Sequence, residues 1–422
     1  MTTEAIARRI VFRLFSQIAG GTLEVADPYG TARFGSPRPS PAEMPVRARV
    51  TVHDPRFYAR VLRSGSVGLG EAYADGWWDT PDLAGVLRLA HRSLRRTHSA
   101  RDHAHRLVRP IVDPIARLRS VDKTRDRQNV RAHYDLGNEL FQHVLDDSMM
   151  YSCAVFESMD DTLAAASMAK VDRLARSMEL GPEDRVLEIG TGWGGFAIRA
   201  ARRFGCHVTT TTISHAQYEY ARARVRDAGL DRLVTVRADD YRDVREKFDK
   251  VIAIEMIEAV DWREYGAFFE QCRHLLSDRG VLAMQAIVMP DASFDRAKRH
   301  TDFIKHAIFP GSCLPSVAAL SAAARDHGGL SLAHLDDLGV HYAETLRRWR
   351  ANMVDRRREL SEVGFDERFV RRWEFYFSYC EAAFDERYTT VTQLLYTTPG
   401  WVPRALAGRT TVPRHLASVA RT

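Results

Sequence analysis

The sequence predicts an α/β fold, a mostly parallel Rossmann-like sheet with helices on both faces, preceded by a smaller N-terminal domain. Three observations carry this expectation. Residues 185–200 (RVLEIGTGWGGFAIRA) join a short apolar run to a glycine-punctuated turn and then to a helical pattern. Further short apolar runs follow at intervals that leave room for a helix between each pair. The length, 422 residues, favours two domains over one.

The elements follow in chain order. The start, MTTEAIARRIVFRLFSQIAGG, is apolar at helical spacing but interrupted by charge, and it lacks the unbroken core and cleavage site of a secretion signal. A short hairpin follows, then a proline-rich loop over 36–45 (SPRPSPAEMP) that can hold neither helix nor central strand. Residues 46–52 alternate like a strand and 55–63 look helical. Residues 65–78 (GSVGLGEAYADGWW) read as a packed loop, or a turn stabilised by its two tryptophans. We divide the chain into an N-terminal domain over 1–120, associated with lipid or membrane, a catalytic domain over 129–400, and a basic tail over 403–422. In the catalytic domain Val186, Leu187 and Ile189 form the first buried strand. The next four are expected over 206–212, 234–238, 250–255 and 280–288.

Ligands of such sheets sit beyond the carboxyl ends of the strands. That rule singles out 190–195, 212–217, 239–241, 255–258 and 285–287. Gly190, Gly192 and Gly194 remove side chains where the backbone turns sharply and approaches a ligand. The helix behind them offers free N–H groups and a positive dipole end. A nicotinamide site would place an acidic residue about twenty positions on, at the ribose hydroxyls. The second strand instead runs into Ile213-Ser214-His215-Ala216-Gln217 without a carboxylate. The expected ligand is therefore S-adenosylmethionine, in a class I methyltransferase fold, rather than a dinucleotide.

Composition bounds the setting. No apolar stretch approaches the roughly twenty residues that span a bilayer. The five cysteines show no paired spacing, which suits reduced thiols in a cytoplasmic protein, and no metal is implied. Net charge is +6, and all but six of the 61 basic residues are arginine. A basic cluster over 91–131, poor in acids, reads either as a solvated linker or as a patch for anionic lipid headgroups.

Six motifs in order and spacing then resemble the cyclopropane-fatty-acid synthase (mycolic acid cyclopropane synthase) family. They are Tyr134-Asp135-Leu136-Gly137-Asn138, Tyr151-Ser152-Cys153-Ala154, the run from Glu188 to Gly195, the run from Thr212 to Gln217, Asp240-Tyr241-Arg242-Asp243 and Phe309-Pro310-Gly311. The family implies S-adenosylmethionine-dependent alkylation of a double bond in an acyl chain of a membrane phospholipid. Carried over by residue, Tyr151, Ser152, Glu188, Gly190, Gly192, Gly194, Thr212, Ser214, Gln217, Asp240 and Tyr241 would line the cofactor. Members hold a bicarbonate ion as base, and its holders there match Cys153, Glu258, Ile287 through its backbone, and Tyr342. A cysteine long proposed as active falls on Cys380, within an aromatic-rich helix where a packing role is the better reading.

Two departures bear on the product. Ile257-Glu258-Ala259 stands where the family has Phe-Glu-His, and Gln285-Ala286-Ile287 where it has His-Thr-Ile. Together these resemble the branch that makes tuberculostearic-type acids, in which a methyl group ends as a mid-chain methylene. A separate flavin- or nicotinamide-dependent reductase then saturates it. Gln285 keeps a hydrogen-bonding group but removes one that titrates near neutrality, so Ala259 and Gln285 are expected to reposition or delay deprotonation. Glu258 would hold bicarbonate or act directly as the base. The expected partners are an unsaturated acyl chain and the inner face of the cell membrane. A homo-oligomer is compatible with the sequence. Glu255-Met256-Ile257-Glu258 lacks the Asn/Asp-Pro-Pro-aromatic motif common in nucleic-acid amine methyltransferases, so no nucleic-acid partner is expected. The alternatives are a cyclopropane-forming enzyme and a non-catalytic membrane accessory protein.

Overall fold

The computed structural model describes residues 3–18, 20–36, 45–94 and 137–403. The proposed domain junction, most of the basic cluster, Tyr134 to Leu136 and nearly all of the tail lie outside these residues.

The N-terminal part begins with helix α1 (Thr3–Phe15) and strands β1 (Gly21–Asp27), β2 (Gly30–Ser36) and β3 (Val46–Val52). Helix α2 (Arg56–Ala74) and the two-residue strand β4 (Trp78–Asp79) complete it, with a further helical stretch over 83–94. The small sheet has the order β2-β1-β3-β4, with β1 and β3 parallel and the other neighbours antiparallel. Alternate residues of β3 (Val46, Ala48, Val50, Val52) are buried, as its period-2 pattern requires.

The expected loop over 65–78 is instead mostly helix. Gly65 takes a positive φ of 54° and kinks α2, and the chain then resumes helical geometry to Ala74. Its glycines serve close packing: a Cβ on Gly68 would lie 2.3 Å from the Arg60 carbonyl oxygen, and one on Gly70 would lie 2.4 Å from the Phe303 ring. Trp78 is buried and donates its indole N–H to the Leu69 carbonyl at 3.0 Å.

The second sheet has seven strands in the order β10-β11-β9-β8-β5-β6-β7. Helix α3 (Leu163–Ser177) precedes β5 (Arg185–Ile189), and α4 (Gly195–Phe204) leads to β6 (His207–Thr211). Helix α5 (His215–Asp227), β7 (Val234–Arg237), β8 (Phe248–Ile254) and β9 (Leu276–Val288) follow. These five strands are parallel and lie within a few residues of the expected ones. Two further strands, β10 (Ser331–Asp337) and β11 (Thr390–Thr397), extend the sheet antiparallel beyond β9. Between them run α6 (Gly339–Asp355) and α7 (Glu367–Asp385), the latter rich in buried aromatics.

One hydrophobic cluster crosses from the N-terminal part into the C-terminal helices, containing Phe57, Tyr73, Trp78, Phe303, Phe375 and Trp373. Ion pairs surround it: Arg368 and Arg372 meet Glu71, and Arg371 meets Asp79. The most buried pair is Arg92 with Glu386 at 2.6 Å, each side chain 4% exposed. Breaking such a pair leaves a charge buried without its counter-charge. Glu386→Ala is therefore expected to cost about 3 kcal/mol, while replacing both partners by leucine costs less. Denaturant unfolding of the single and double variants checks this, and a double variant no more stable than the single contradicts it.

Candidate active site

The carboxyl ends of β5, β6 and β7 open into one pocket. At the end of β5, Gly190, Gly192 and Gly194 adopt φ values of 96°, 51° and 84°, a region that favours glycine. Gly194 is the left-handed cap of α4, so the loop aims the start of that helix at the pocket. A Cβ on Gly195 would collide with Met150 at 2.5 Å, which keeps this wall bare backbone. At the end of β6 the Thr212 hydroxyl donates to Gln217 Oε1 at 2.9 Å, and Ser214 caps α5 by accepting from the Gln217 amide. At the end of β7, Asp240 accepts from the Arg242 amide and guanidinium, which holds its carboxylate in a fixed orientation.

Of the residues expected to line the cofactor, Tyr151, Ser152, Glu188, Gly190, Gly192, Thr212, Gln217, Asp240 and Tyr241 line this pocket. Gly194 and Ser214 do not; they shape it from behind as helix caps. Glu188 is buried, and burial pushes its carboxyl up to about 8. Its Oε2 has no hydrogen-bond partner. Such an atom suits a cationic ligand, as does the bare glycine wall beside it.

Deeper in, beyond β8, two glutamates face different partners. Glu255 follows the last residue of β8 and takes a positive φ of 49°, rare for a non-glycine residue and commonest at functional sites. Its Oε1 accepts from the Cys153 amide at 2.8 Å and from Gln285 Nε2 at 2.8 Å. Its Oε2 accepts from the Tyr342 hydroxyl at 2.6 Å. The Gln285 amide is itself oriented, because it donates to the Cys153 carbonyl and accepts from Gln393 Nε2 at 3.0 Å. Gln393 lies directly opposite Gln285 across β11 and β9. Burial raises the Glu255 pKa, opposed by the three hydrogen bonds and by the charge of Lys170.

Glu258 accepts from the Ile287 amide at 2.6 Å, and its other oxygen is buried without a partner. Burial, and then the charge of Glu255, push its carboxyl up to about 8. Cys153 contributes through its backbone; burial, reinforced by the Glu255 charge, pushes its thiol well up and keeps it neutral. Cys380 sits on α7 one turn beyond Tyr376, outside the pocket lining, and burial pushes its thiol up as well.

An aromatic wall stands beside these carboxylates. Tyr151 stacks on Trp349 at 5.0 Å and shares a hydroxyl hydrogen bond of 2.8 Å with Tyr376. Tyr342 stacks on Phe384 at 4.5 Å, and Phe309 meets Tyr376 edge-on at 5.8 Å. Phe309 thus joins the aromatic wall through Tyr376, while Gln285 meets the Glu255 carboxylate.

Two residues carry roles that the sequence does not assign. Glu255 falls there only within the strand-end segment 255–258. Lys170 had a signal of its own: it falls on the buried stripe of α3 with Ala166, Val171 and Leu174, where a cation is out of place. There it lines the pocket and donates to Ser152 Oγ at 2.6 Å.

Comparisons with known proteins agree with this geometry. The chain is 41% identical over 353 residues to the tuberculostearic acid methyltransferase UfaA1 of Mycobacterium tuberculosis, covering 81% of each. It is 32% identical over 355 residues to the cyclopropane-fatty-acyl-phospholipid synthase of Escherichia coli K12, covering 83% of this chain and 87% of that one. Among solved structures, the cyclopropane synthase MmaA2 of M. tuberculosis superposes with a TM-score of 0.60 at 26% identity, over 64% of this chain and 98% of that one. A mycolic acid cyclopropane synthase solved with SAH and CTAB gives a TM-score of 0.60 at 29% identity, over the same shares. The fold is that of class I S-adenosylmethionine-dependent methyltransferases. With the mycolic acid cyclopropane synthetase signature matching residues 121–394, the chain belongs to that family.

Proposed function

We propose that this protein is an S-adenosylmethionine-dependent C-methyltransferase that alkylates the double bond of an oleoyl-type phospholipid acyl chain and leaves a mid-chain methylene branch. The observation that carries the reading is the Glu255 carboxylate, gathered by the Cys153 amide, Gln285 and Tyr342. When bound, the sulfonium cofactor supplies an electrophilic methyl group. The glycine loop, Thr212, Gln217, Asp240 and Tyr241 would hold it, with Tyr151, Ser152 and Glu188 at its other end.

The alkene's π pair forms the new C–C bond, and the adjacent carbon becomes cationic. Aromatic faces stabilise such a cation by roughly 0.5–2 kcal/mol each, and Tyr151, Tyr342, Trp349 and Tyr376 offer them. A hydride shift from the methyl-bearing carbon moves the charge onto that carbon. Loss of a proton from the new methyl group then leaves the C–H electron pair as the double bond of the methylene branch.

We assign that proton to Glu255. The Cys153 amide and the Tyr342 hydroxyl, two of the groups that would cradle bicarbonate, already hold this side chain, and the Ile287 amide holds Glu258, so the residues do not fit a separate ion and no step passes through one. Two neighbouring carboxyls cannot both carry charge cheaply, and their environments separate them. Three donors and the nearby Lys170 oppose the rise that burial gives Glu255, and we take it as the charged member of the pair. Glu258 keeps its proton near neutrality. The base is then fixed by the backbone and by Gln285, rather than diffusing in as an ion, which we take to time deprotonation after the hydride shift. Saturation of the methylene needs a hydride donor and falls to a separate flavin- or nicotinamide-dependent reductase. Phospholipid chains as substrate place the protein peripherally on the inner face of the cell membrane.

Four measurements test this reading. Mass spectrometry of fatty acids from cells expressing this chain and fed oleate is expected to show a mid-chain methylene species. A cyclopropane species would overturn the product assignment, and neither species would favour an accessory protein. Glu255→Gln is expected to lose on the order of 10²–10⁴ in turnover while still binding S-adenosylmethionine. Glu255→Gly suits the positive φ and empties the carboxylate site, so it should be inactive in carbonate-free buffer and regain activity with added bicarbonate. Wild-type turnover of that variant without the ion would remove Glu255 as the base. Glu258, with its folded pKa raised from 4.5 to about 8, binds a proton in the folded state that the unfolded chain releases between those values. Its contribution to stability therefore falls as pH rises through that window. Glu258→Gln removes the slope, and its gain in Tm over wild type is expected to grow from about pH 5 to about pH 8.

A further inference from the structure

Helix α1 carries a broad apolar arc, one part packed inward and the neighbouring part left in water. Its inner face buries Ala7 and Val11, and Phe12 packs edge-on against Phe34 and Tyr58. Its outer face carries Ile6, Ile10 and Leu14 at intervals of four, and they remain 48%, 46% and 53% exposed. Residues four apart fall on one helix row, so the three form a continuous stripe. Arg9 and Arg13, both exposed, fall beside that stripe at the same spacing. The helix carries a single acidic residue, Glu4, in its first turn.

Three branched aliphatic side chains in one exposed row are unusual on a water-facing helix, where scattered apolar residues are the norm. Arginines beside the row complement an anionic, apolar partner. We propose that the outer face of α1 docks this protein on the surface of an anionic lipid bilayer. The stripe Ile6-Ile10-Leu14 enters the boundary between headgroups and acyl chains, and Arg9 and Arg13 pair with phosphates. The inference rests on the acyl-lipid reading above, since a bilayer is where such a substrate lies. It adds which surface makes the approach. The helix lies in the plane of the interface rather than crossing it, and among the described residues no helix is long and apolar enough to span a membrane.

The test uses the full-length protein and vesicles of oleoyl phosphatidylcholine, with and without oleoyl phosphatidylglycerol. The variant Ile6→Ser/Ile10→Ser/Leu14→Ser changes only exposed positions. It should co-sediment with anionic vesicles at least tenfold more weakly, with an unchanged Tm and unchanged turnover on detergent-dispersed lipid. Arg9→Gln/Arg13→Gln should lose the preference for anionic over neutral vesicles. Wild-type vesicle binding by the triple variant would overturn the proposal. So would a change in its oligomeric state by light scattering, since the stripe would then be a contact between copies. Vesicle binding is read without turnover, so loss of binding by the triple variant in a protein that makes no branched product would refute the proposed chemistry and leave the docking surface standing.

Discussion

The carboxylate of Glu255 ties the catalytic half of the molecule together. Its three donors come from separate places in the chain: the loop holding Cys153, strand β9 at Gln285 and helix α6 at Tyr342. A half-buried carboxylate in an apolar chamber is tolerable only if its lone pairs are filled and a counter-charge is near. Lys170, brought in by α3, supplies the latter. The strained backbone at Glu255 persists because these contacts over-determine it. The site's geometry and the local packing are thus the same set of hydrogen bonds.

The sheet explains how that gathering is achieved. Strand β8 delivers Glu255 at its carboxyl end, and its parallel neighbour β9 delivers Gln285 one strand away. Adding β11 on the far side of β9 puts Gln393 opposite Gln285, which fixes which end of the amide faces the carboxylate. An amide free to flip would present an oxygen to Glu255 and repel it. The outer strand therefore matters to a group that it never touches, through one side-chain bond.

Much of this was legible in the sequence, and what was not follows a pattern. The five parallel strands and the glycine loop could be read because each is a local signal: an apolar run, a turn, a helical period. Strand β11 (TVTQLLYT) carries a similar run, but it follows a long helical region and its antiparallel partner is distant in the chain. The glycines over 65–78 were legible as glycines but not as packing devices. The Phe303 ring that demands Gly70 lies far along the chain. Glu255 illustrates the same limit. One glutamate at a strand end has no distinguishing mark until Cys153, Gln285 and Tyr342 are seen to converge on it. The family resemblance points to holders for a bicarbonate ion, but not to the Glu255 side chain that Cys153 and Tyr342 hold here.

The aromatic core shared between the N-terminal part and α7 has a bearing on how the protein comes apart. Tyr73 and Trp78 from one part interleave with Phe375 from the other, and Gly70 lies against the Phe303 ring. Cutting the chain in the region between the two parts would leave rings on both fragments facing water. A catalytic fragment expressed by itself would expose an adhesive aromatic surface.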